Sequence, residues 1–270
     1  MTPATFAAIA GGEARKLMSY RADFWISTLV AFMVRMAVAW FLWDAIFAST
    51  GRTEIAGFSR EGMVLYYVLV LLIGKVVSGE ERQVSIAQDI YEGRLSRYLL
   101  FPGGYFSFKY AEHLGQLVPV LAQLVLFGSW AALVFDLESL GSVSAGSVAR
   151  AAVAVAVGNL LAFLIAFLTE SVAFWADNVW SLNVLLRFVA HLLGGEMLPL
   201  ELFPAWARLG LDLLPFRFLF HFPAMTLVGR IDAQSWVSGL AIALGWCLVL
   251  TLVARVVWRR GTLVYTGVGI

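Results

Sequence analysis

Three polar side chains recur on one helical face inside an otherwise apolar stretch of the sequence. Asn183, Arg187 and His191 follow one another at intervals of four positions, and side chains at that spacing are neighbours on a helix surface. Charged groups inside an apolar helix are costly in lipid and tend to face water or protein, so they are candidates for function. The stripe predicts one wall of a water-accessible substrate pathway, in which Arg187 and His191 contact polar or anionic groups.

The same residues also fit a structural role. Arg187 is able to form an internal ion pair with Asp44 or Glu170, and the stripe as a whole fits a polar contact in a dimer interface. Arg35 lies midway through another apolar stretch, on a face of small residues suited to close helix packing. We expect Arg35 to be a buried structural partner, whereas both interpretations of Arg187 stay open.

Residues for metal or nucleotide chemistry are not grouped in this sequence. His113, His191 and His221 have no cysteine or carboxylate at metal-ligand spacing, so no metal is expected. The sequence also has no Gly-x-x-x-x-Gly-Lys-Ser/Thr phosphate loop and no dinucleotide fingerprint. If ATP drives this protein, another polypeptide must bind it, and no cofactor is expected in this chain.

Two other function classes stay open. An integral-membrane enzyme that processes lipid would use His191 and Glu196 as an acid–base pair, although such enzymes place polar groups on several helices at one depth. An ion-coupled secondary transporter should show an inverted internal repeat. The two halves of this sequence show no convincing similarity.

The composition places the elements that carry these residues in a membrane. The chain of 270 residues is 61% hydrophobic and 14% charged, with a mean hydropathy of +0.83. Soluble domains are roughly 45–50% apolar and about 25% charged, so an ordinary soluble enzyme is excluded. The net charge of +1 gives no basic excess that would favour nucleic acid. We expect an all-α integral membrane fold, with membrane lipid as the main solvent.

Apolar stretches approach the roughly 20 residues that cross a bilayer core in about six places. The predicted spans are Phe24–Phe47, Met63–Val77, Leu114–Phe135, Val148–Leu168, Val179–Leu193 and Trp236–Trp258. One set of connecting segments carries more Lys and Arg than the other, and cytoplasmic loops retain such residues. This distribution predicts that both termini are cytoplasmic.

Three segments outside the spans have their own character. Residues 1–23 repeat apolar side chains at helical spacing and predict a helix on the inner membrane surface, with a frayed tail as the alternative. Residues 78–110 are a polar cytoplasmic segment whose apolar residues recur about every four positions, with a break at Gly93. Residues 194–228 are apolar but interrupted by prolines, which predicts re-entrant or interfacial helices.

Two stretches of the chain resemble the ABC-2 type permeases, the membrane subunits of ATP-binding-cassette exporters. The first is Ile90–Gly93 followed by Leu99–Pro102, which is similar to a glycine-then-Leu-Leu-basic-Pro segment of that family. The second is Gly195–Trp206 followed by Leu214–Phe216 and Pro223, whose proline spacing is similar to the family's segment before its last span. The resemblance covers nearly the whole chain.

The resemblance implies an architecture similar to that of ABC-2 (type V) exporters. It implies an interfacial elbow helix at 1–23, a six-span transmembrane domain at 24–270, a coupling helix within 78–110 and extracytoplasmic re-entrant helices within 194–228. It also implies a surface that docks on an ATPase, for which a solvated charged face is the alternative. The residues of that surface are Glu80, Glu81, Arg82, Asp89 and Glu92. Phe101 departs from the family, which usually has a basic residue there.

The implied function is that of a permease subunit. Such a subunit forms the export pathway as a dimer, with a second copy or a paralogous permease and with paired first and fifth spans. Cytoplasmic ABC subunits bind the ATP, and the assembly lies in the bacterial cytoplasmic (inner) membrane. The substrate is left open by these residues.

Overall fold

The computed structural model describes residues 2–18, 21–78, 86–100, 103–134 and 143–267. These ranges fold almost entirely into helices, and the α-helices are α1 (Pro3–Met18), α2 (Arg21–Thr50), α3 (Arg60–Ser78), α4 (Ile86–Tyr91), α5 (Leu95–Leu99), α6 (Tyr105–Val134), α7 (Ala145–Ser171), α8 (Trp180–Leu193), α9 (Ala205–Leu213), α10 (His221–Leu227) and α11 (Ala233–Val264). Short 3₁₀ helices occupy Val172–Phe174, Leu200–Leu202 and Pro215–Phe218. Between α2 and α3, strands β1 (Glu54–Ile55) and β2 (Phe58–Ser59) form an antiparallel hairpin.

Within the described ranges, four helices are long and apolar enough to cross a membrane. They are Thr28–Thr50 in α2, Tyr105–Trp130 in α6, Ala145–Phe174 from α7 into the next 3₁₀ helix, and Ala233–Val264 in α11. They correspond to the first, third, fourth and sixth predicted spans. The second and fifth predicted spans form α3 and α8, which have 19 and 14 residues and are not among the four, so the count of six stays a prediction.

Helix α3 is the centre of the packed structure. Nearly every side chain from Met63 to Val77 is buried, and α3 contacts α2, α6, α7 and α10. A helix that is apolar on every side is stable only where protein or lipid surrounds it completely. Here protein surrounds α3, the second predicted span, on all sides. This explains why α3 has no polar face.

The segment 194–228 folds into short helices, as its prolines predict. Pro199 and Pro204 precede the first residues of Leu200–Leu202 and α9, and Pro215 is the first residue of its 3₁₀ helix. Proline suits these positions because its missing N–H would have no helical partner there. α10 then packs on α7 and α3. The depth of this segment in the membrane stays a prediction.

Helix α1 lies against α6, and its placement on the membrane surface stays a prediction. The closest approach is at Gly115 of α6, where an added Cβ would lie 2.3 Å from the carbonyl oxygen of Ala10. Phe6 and Tyr110 extend the contact, with ring centroids 6.5 Å apart. The two backbones approach this closely only because residue 115 has no side chain.

A second apolar cluster joins α4 and α5 to the larger helices. Ile86, Ile90 and Leu95 are buried against the start of α6, the end of α7 and the late part of α11. Tyr105 of α6 stacks on Trp258 of α11 with 4.6 Å between ring centroids. The segment therefore buries one face on the bundle, as its apolar spacing predicts.

Candidate functional site

The predicted pathway stripe lies on α8, a helix with little protein around it. α8 has no buried residue, and its contacts with the rest of the bundle are few. Arg187 is exposed, whereas Asn183 and His191 are half-buried. The described residues offer Arg187 no ion-pair partner: Asp44 pairs with Arg60 instead, and Glu170 accepts hydrogen bonds from the backbone of α4. Neither internal ion pair considered for Arg187 is therefore formed.

Helix α8 ends in a tight reversal at two glycines. Gly194 N–H donates to the Ala190 carbonyl oxygen at 2.8 Å, and the backbone N–H of Glu196 donates back to the carbonyl oxygen of His191 at 3.0 Å. Gly195 has a φ of +88°, and a Cβ there would lie 2.8 Å from the Tyr66 hydroxyl. Both the backbone conformation and the space require glycine.

The reversal brings the side chain of Glu196 back to His191 and Arg35. His191 Nδ1 lies 2.5 Å from Glu196 Oε2, a close contact without hydrogen-bond alignment, and Arg35 lies 3.6 Å from Glu196 Oε1. The Glu196 side chain is 11% exposed, against 57% for Arg35. The expectation of a buried Arg35 is therefore wrong, because more than half of its side chain is exposed even though it pairs with an acid on another segment.

A second polar cluster, whose residues are far apart in the sequence, fixes the same reversal to α3. Tyr66 of α3 donates a hydrogen bond to the Gly195 carbonyl oxygen at 2.5 Å and lies 3.3 Å from His221 Nδ1. His221 Nε2 is 3.5 Å from Glu201 Oε1. The two residues that contact Tyr66 lie more than a hundred positions from it along the chain. No local sequence pattern could therefore have predicted these contacts.

Burial controls the charge of this second cluster. It lowers the pKa of His221 to about 3, with a smaller contribution from the Arg217 guanidinium, and it raises the pKa of the Glu201 carboxyl. A buried group resists its charged form unless it is paired. His221 is thus a neutral imidazole at physiological pH, and its contact with Glu201 is not an ion pair.

The structure describes two of the five predicted ATPase-docking residues, and these two differ in exposure. Glu80, Glu81 and Arg82 lie outside the described residues. Glu92 is exposed and pairs with Arg94 at 3.0 Å, whereas Asp89 is 2% exposed and pairs with Lys109 Nζ at 2.7 Å. The Asp89 carboxylate therefore faces the bundle, and docking by the exposed face of this segment stays a prediction.

The break between α4 and α5 agrees with the sequence. Gly93 has a φ of +71° and separates the two short helices. Residues with a Cβ rarely adopt that conformation.

In the described ranges, no three His, Cys, Asp or Glu side chains cluster as metal ligands.

Comparison with known proteins identifies a family. The sequence model of a family described as "ABC-2 family transporter protein" matches residues 33–269, which is well over half of the chain. Searches against curated proteins and against solved structures gave no match.

Proposed function

The chain belongs to the ABC-2 family transporter proteins, and on that basis we propose that it is the permease subunit of an ATP-driven exporter. In this proposal, cytoplasmic ABC subunits bind and hydrolyse ATP. The permease itself performs no chemistry and forms the translocation pathway by alternating access. The assembly lies in the bacterial cytoplasmic membrane with both termini of the permease in the cytoplasm.

The observation that carries the proposal is the two-faced segment formed by α4 and α5. Ile86, Ile90 and Leu95 attach it to the bundle, whereas Glu92 and Arg97 face solvent. A short charged face held on a membrane bundle is a suitable contact for a soluble partner. Because the sequence has no phosphate loop, a motor in a separate chain is the arrangement that fits.

A second permease subunit is proposed to cover α2 and α8. Val34, Val38 and Phe41 of α2 are 57%, 61% and 72% exposed, and Leu185 and Phe188 of α8 are 58% and 53% exposed. These are the first and fifth predicted spans, which the family resemblance pairs across a dimer. A second copy of this chain and a paralogous permease fit equally well.

The pathway is proposed to run along Asn183, Arg187 and His191. An arginine on a mostly apolar helix is stable when it faces water, a partner or a bound anion. Glu196 pairs with Arg35, which leaves Arg187 as the cation on α8 available to a substrate. We therefore expect a substrate with a polar or anionic group.

The test of the proposal is assembly and coupling. The permease is co-expressed with any P-loop protein that its neighbouring genes encode, purified in nanodiscs and assayed for ATP hydrolysis. Charge reversal at Glu80 and Glu81 is expected to lower ATPase association and transport together. If no P-loop protein associates with the wild-type permease, and the Glu80/Glu81 variant keeps its transport, the proposal fails.

A lipid-processing enzyme is the second candidate, because His191 and Glu196 meet as its acid–base pair requires. Arg35 also lies 3.6 Å from Glu196, so the carboxyl has a structural contact as well. Conversion of a lipid by the permease alone, lost in His191→Ala, would favour the enzyme.

A further inference from the structure

A buried polar network joins the short helix α4 to α6 and α7. We propose that Asp89, Lys109 and Glu170 form a rigid joint, here called the coupling joint, which makes the α4–α5 segment move as one body with α6 and α7. The inference rests on the proposed function, since it assigns the route by which displacement of that segment reaches the membrane helices. All three are positioning residues, and none is placed in contact with substrate or nucleotide.

The first half of the coupling joint is the ion pair between α4 and α6. Asp89 Oδ2 lies 2.7 Å from Lys109 Nζ and accepts a hydrogen bond from the Tyr105 hydroxyl, also at 2.7 Å. Arg94 Nε approaches Asp89 Oδ1 at 3.5 Å. The side chains of Asp89 and Lys109 are only 2% and 4% exposed, so water does not screen the pair.

The second half is a carboxylate of α7 that holds the first residues of α4. Glu170 Oε2 accepts hydrogen bonds from the backbone N–H groups of Ile86 at 2.8 Å and Ala87 at 3.2 Å. Glu170 is 3% exposed and lies in the last turn of α7. Two hydrogen bonds from successive N–H groups to one carboxyl oxygen fix the start of α4 to α7.

The two halves hold α4 at separate points on separate helices. A helix of six residues is not stable on its own, so its position is set by what it contacts. Tyr91 adds a third point, because its hydroxyl donates to the Ala176 carbonyl oxygen at 2.8 Å. Attachment at several points prevents α4 from rotating or sliding without moving α6 and α7.

The buried ion pair between Asp89 and Lys109 fits a role in orienting α4 better than a role in stability alone. A buried ion pair often contributes little net stability compared with well-packed apolar residues of similar volume, because both ions lose their hydration. It does impose direction and register, which apolar contacts impose weakly. The apolar contacts of Ile86, Ile90 and Leu95 already attach the segment, and the coupling joint adds a defined orientation.

The first measurement uses the permease alone, in nanodiscs. Amide hydrogen exchange at residues 86 and 87 reports directly on the bonds to Glu170. Glu170→Met removes the acceptor and is expected to speed exchange there at least tenfold, whereas Glu170→Gln keeps a carbonyl acceptor and is expected to change exchange less than threefold. Exchange in Glu170→Met that equals the wild type would overturn the coupling joint.

The second measurement uses the permease assembled with its ATP-binding subunits. Exchange in residues 194–213 is compared with and without ATP and vanadate, beside the rate of ATP hydrolysis. Glu170→Met is expected to keep hydrolysis within twofold of the wild type and to reduce the nucleotide-dependent change in exchange at least threefold. Asp89→Asn is expected to reduce that change as well. Glu170→Gln is expected to restore most of that change.

Glu112→Gln is the matched control. Glu112 Oε2 pairs with the same Lys109 Nζ at 3.1 Å, but within α6, so its loss leaves the link to α4 intact and should preserve the nucleotide-dependent change. If the change persists in Asp89→Asn and Glu170→Met, the joint does not transmit motion and the inference is wrong. If the wild-type permease binds no ATPase, the proposed function and the transmission role both fail, while exchange at residues 86 and 87 still decides whether the joint exists.

Discussion

At the scale of single residues, the reversal after α8 depends on contacts that converge from distant parts of the chain. Arg35 and His191 approach the two oxygens of Glu196, and Tyr66 holds the Gly195 carbonyl oxygen. The pathway stripe therefore ends at a fixed turn. Arg187, on the same helix, has no such restraint among the described residues, which makes it the stripe's best candidate for contact with a moving ligand.

Replacing Glu196 by glutamine should loosen this turn. The variant loses the negative charge that pairs with Arg35. Because Arg35 is more than half exposed, we expect about 1 kcal/mol from its share. Thermal unfolding in detergent should show a lower midpoint for Glu196→Gln. An equal or higher midpoint would mean that the contacts do not stabilise the turn.

Gly195→Ala tests the backbone of the same turn. A Cβ at this position would meet the Tyr66 hydroxyl at 2.8 Å, at a φ of +88°, and a strained backbone residue costs of order 1–3 kcal/mol. We expect a clear loss of thermal stability. Gly210→Ala is the control, because an added Cβ there has open space and alanine favours the helix. Similar losses in both variants would contradict the assigned role of Gly195.

At the scale of elements, the contact between α1 and α6 depends on one glycine. Gly115→Ala places a Cβ 2.3 Å from the Ala10 carbonyl oxygen, so the two helices must separate. Amide exchange throughout α1 is expected to accelerate. Gly128→Ala on the same helix α6 meets nothing within 4 Å and should leave α1 protected. Unchanged protection of α1 in Gly115→Ala would show that α1 is held elsewhere.

The sequence predicts the elements better than their contacts. Apolar length places α2, α6, α7 and α11, and Gly93 places the break between α4 and α5, because both signals are local. The partner of Arg35 and the inward direction of Asp89 depend on residues brought together only by the tertiary fold. Glu170 is the clearest case: the amide groups that it binds lie 83 and 84 positions earlier in the chain.

At the scale of the whole molecule, α3 connects the two polar sites. Tyr66 of α3 bonds to the reversal after α8. Near the other end of α3, Asn159 of α7 donates to the Val76 carbonyl oxygen at 2.9 Å. α7 also carries Glu170 of the coupling joint. A continuous path of direct contacts thus runs from α4 through α7 and α3 to the end of the proposed pathway.

The exposed apolar faces of α2 and α8 predict where two permease subunits meet. Cys247 is a free, buried cysteine and the sequence has no other, so Cys247→Ala gives a cysteine-free background. A single cysteine at Val38 or at Leu185, which are 61% and 58% exposed, is expected to cross-link two permease subunits in native membranes with a short bifunctional maleimide.

Val125→Cys on α6 is the matched control for that experiment, because Val125 is 68% exposed but lies outside the proposed interface. It should give no cross-linked dimer. If this chain pairs with a paralogous permease, cross-linking at Val38 and Leu185 requires a cysteine on that partner, and the homodimer band is absent until both are co-expressed. Cross-linking at Val125 with none at Val38 or Leu185 under either condition would place the interface on α6, and the large exposed faces of α2 and α8 would then have to be covered by lipid alone.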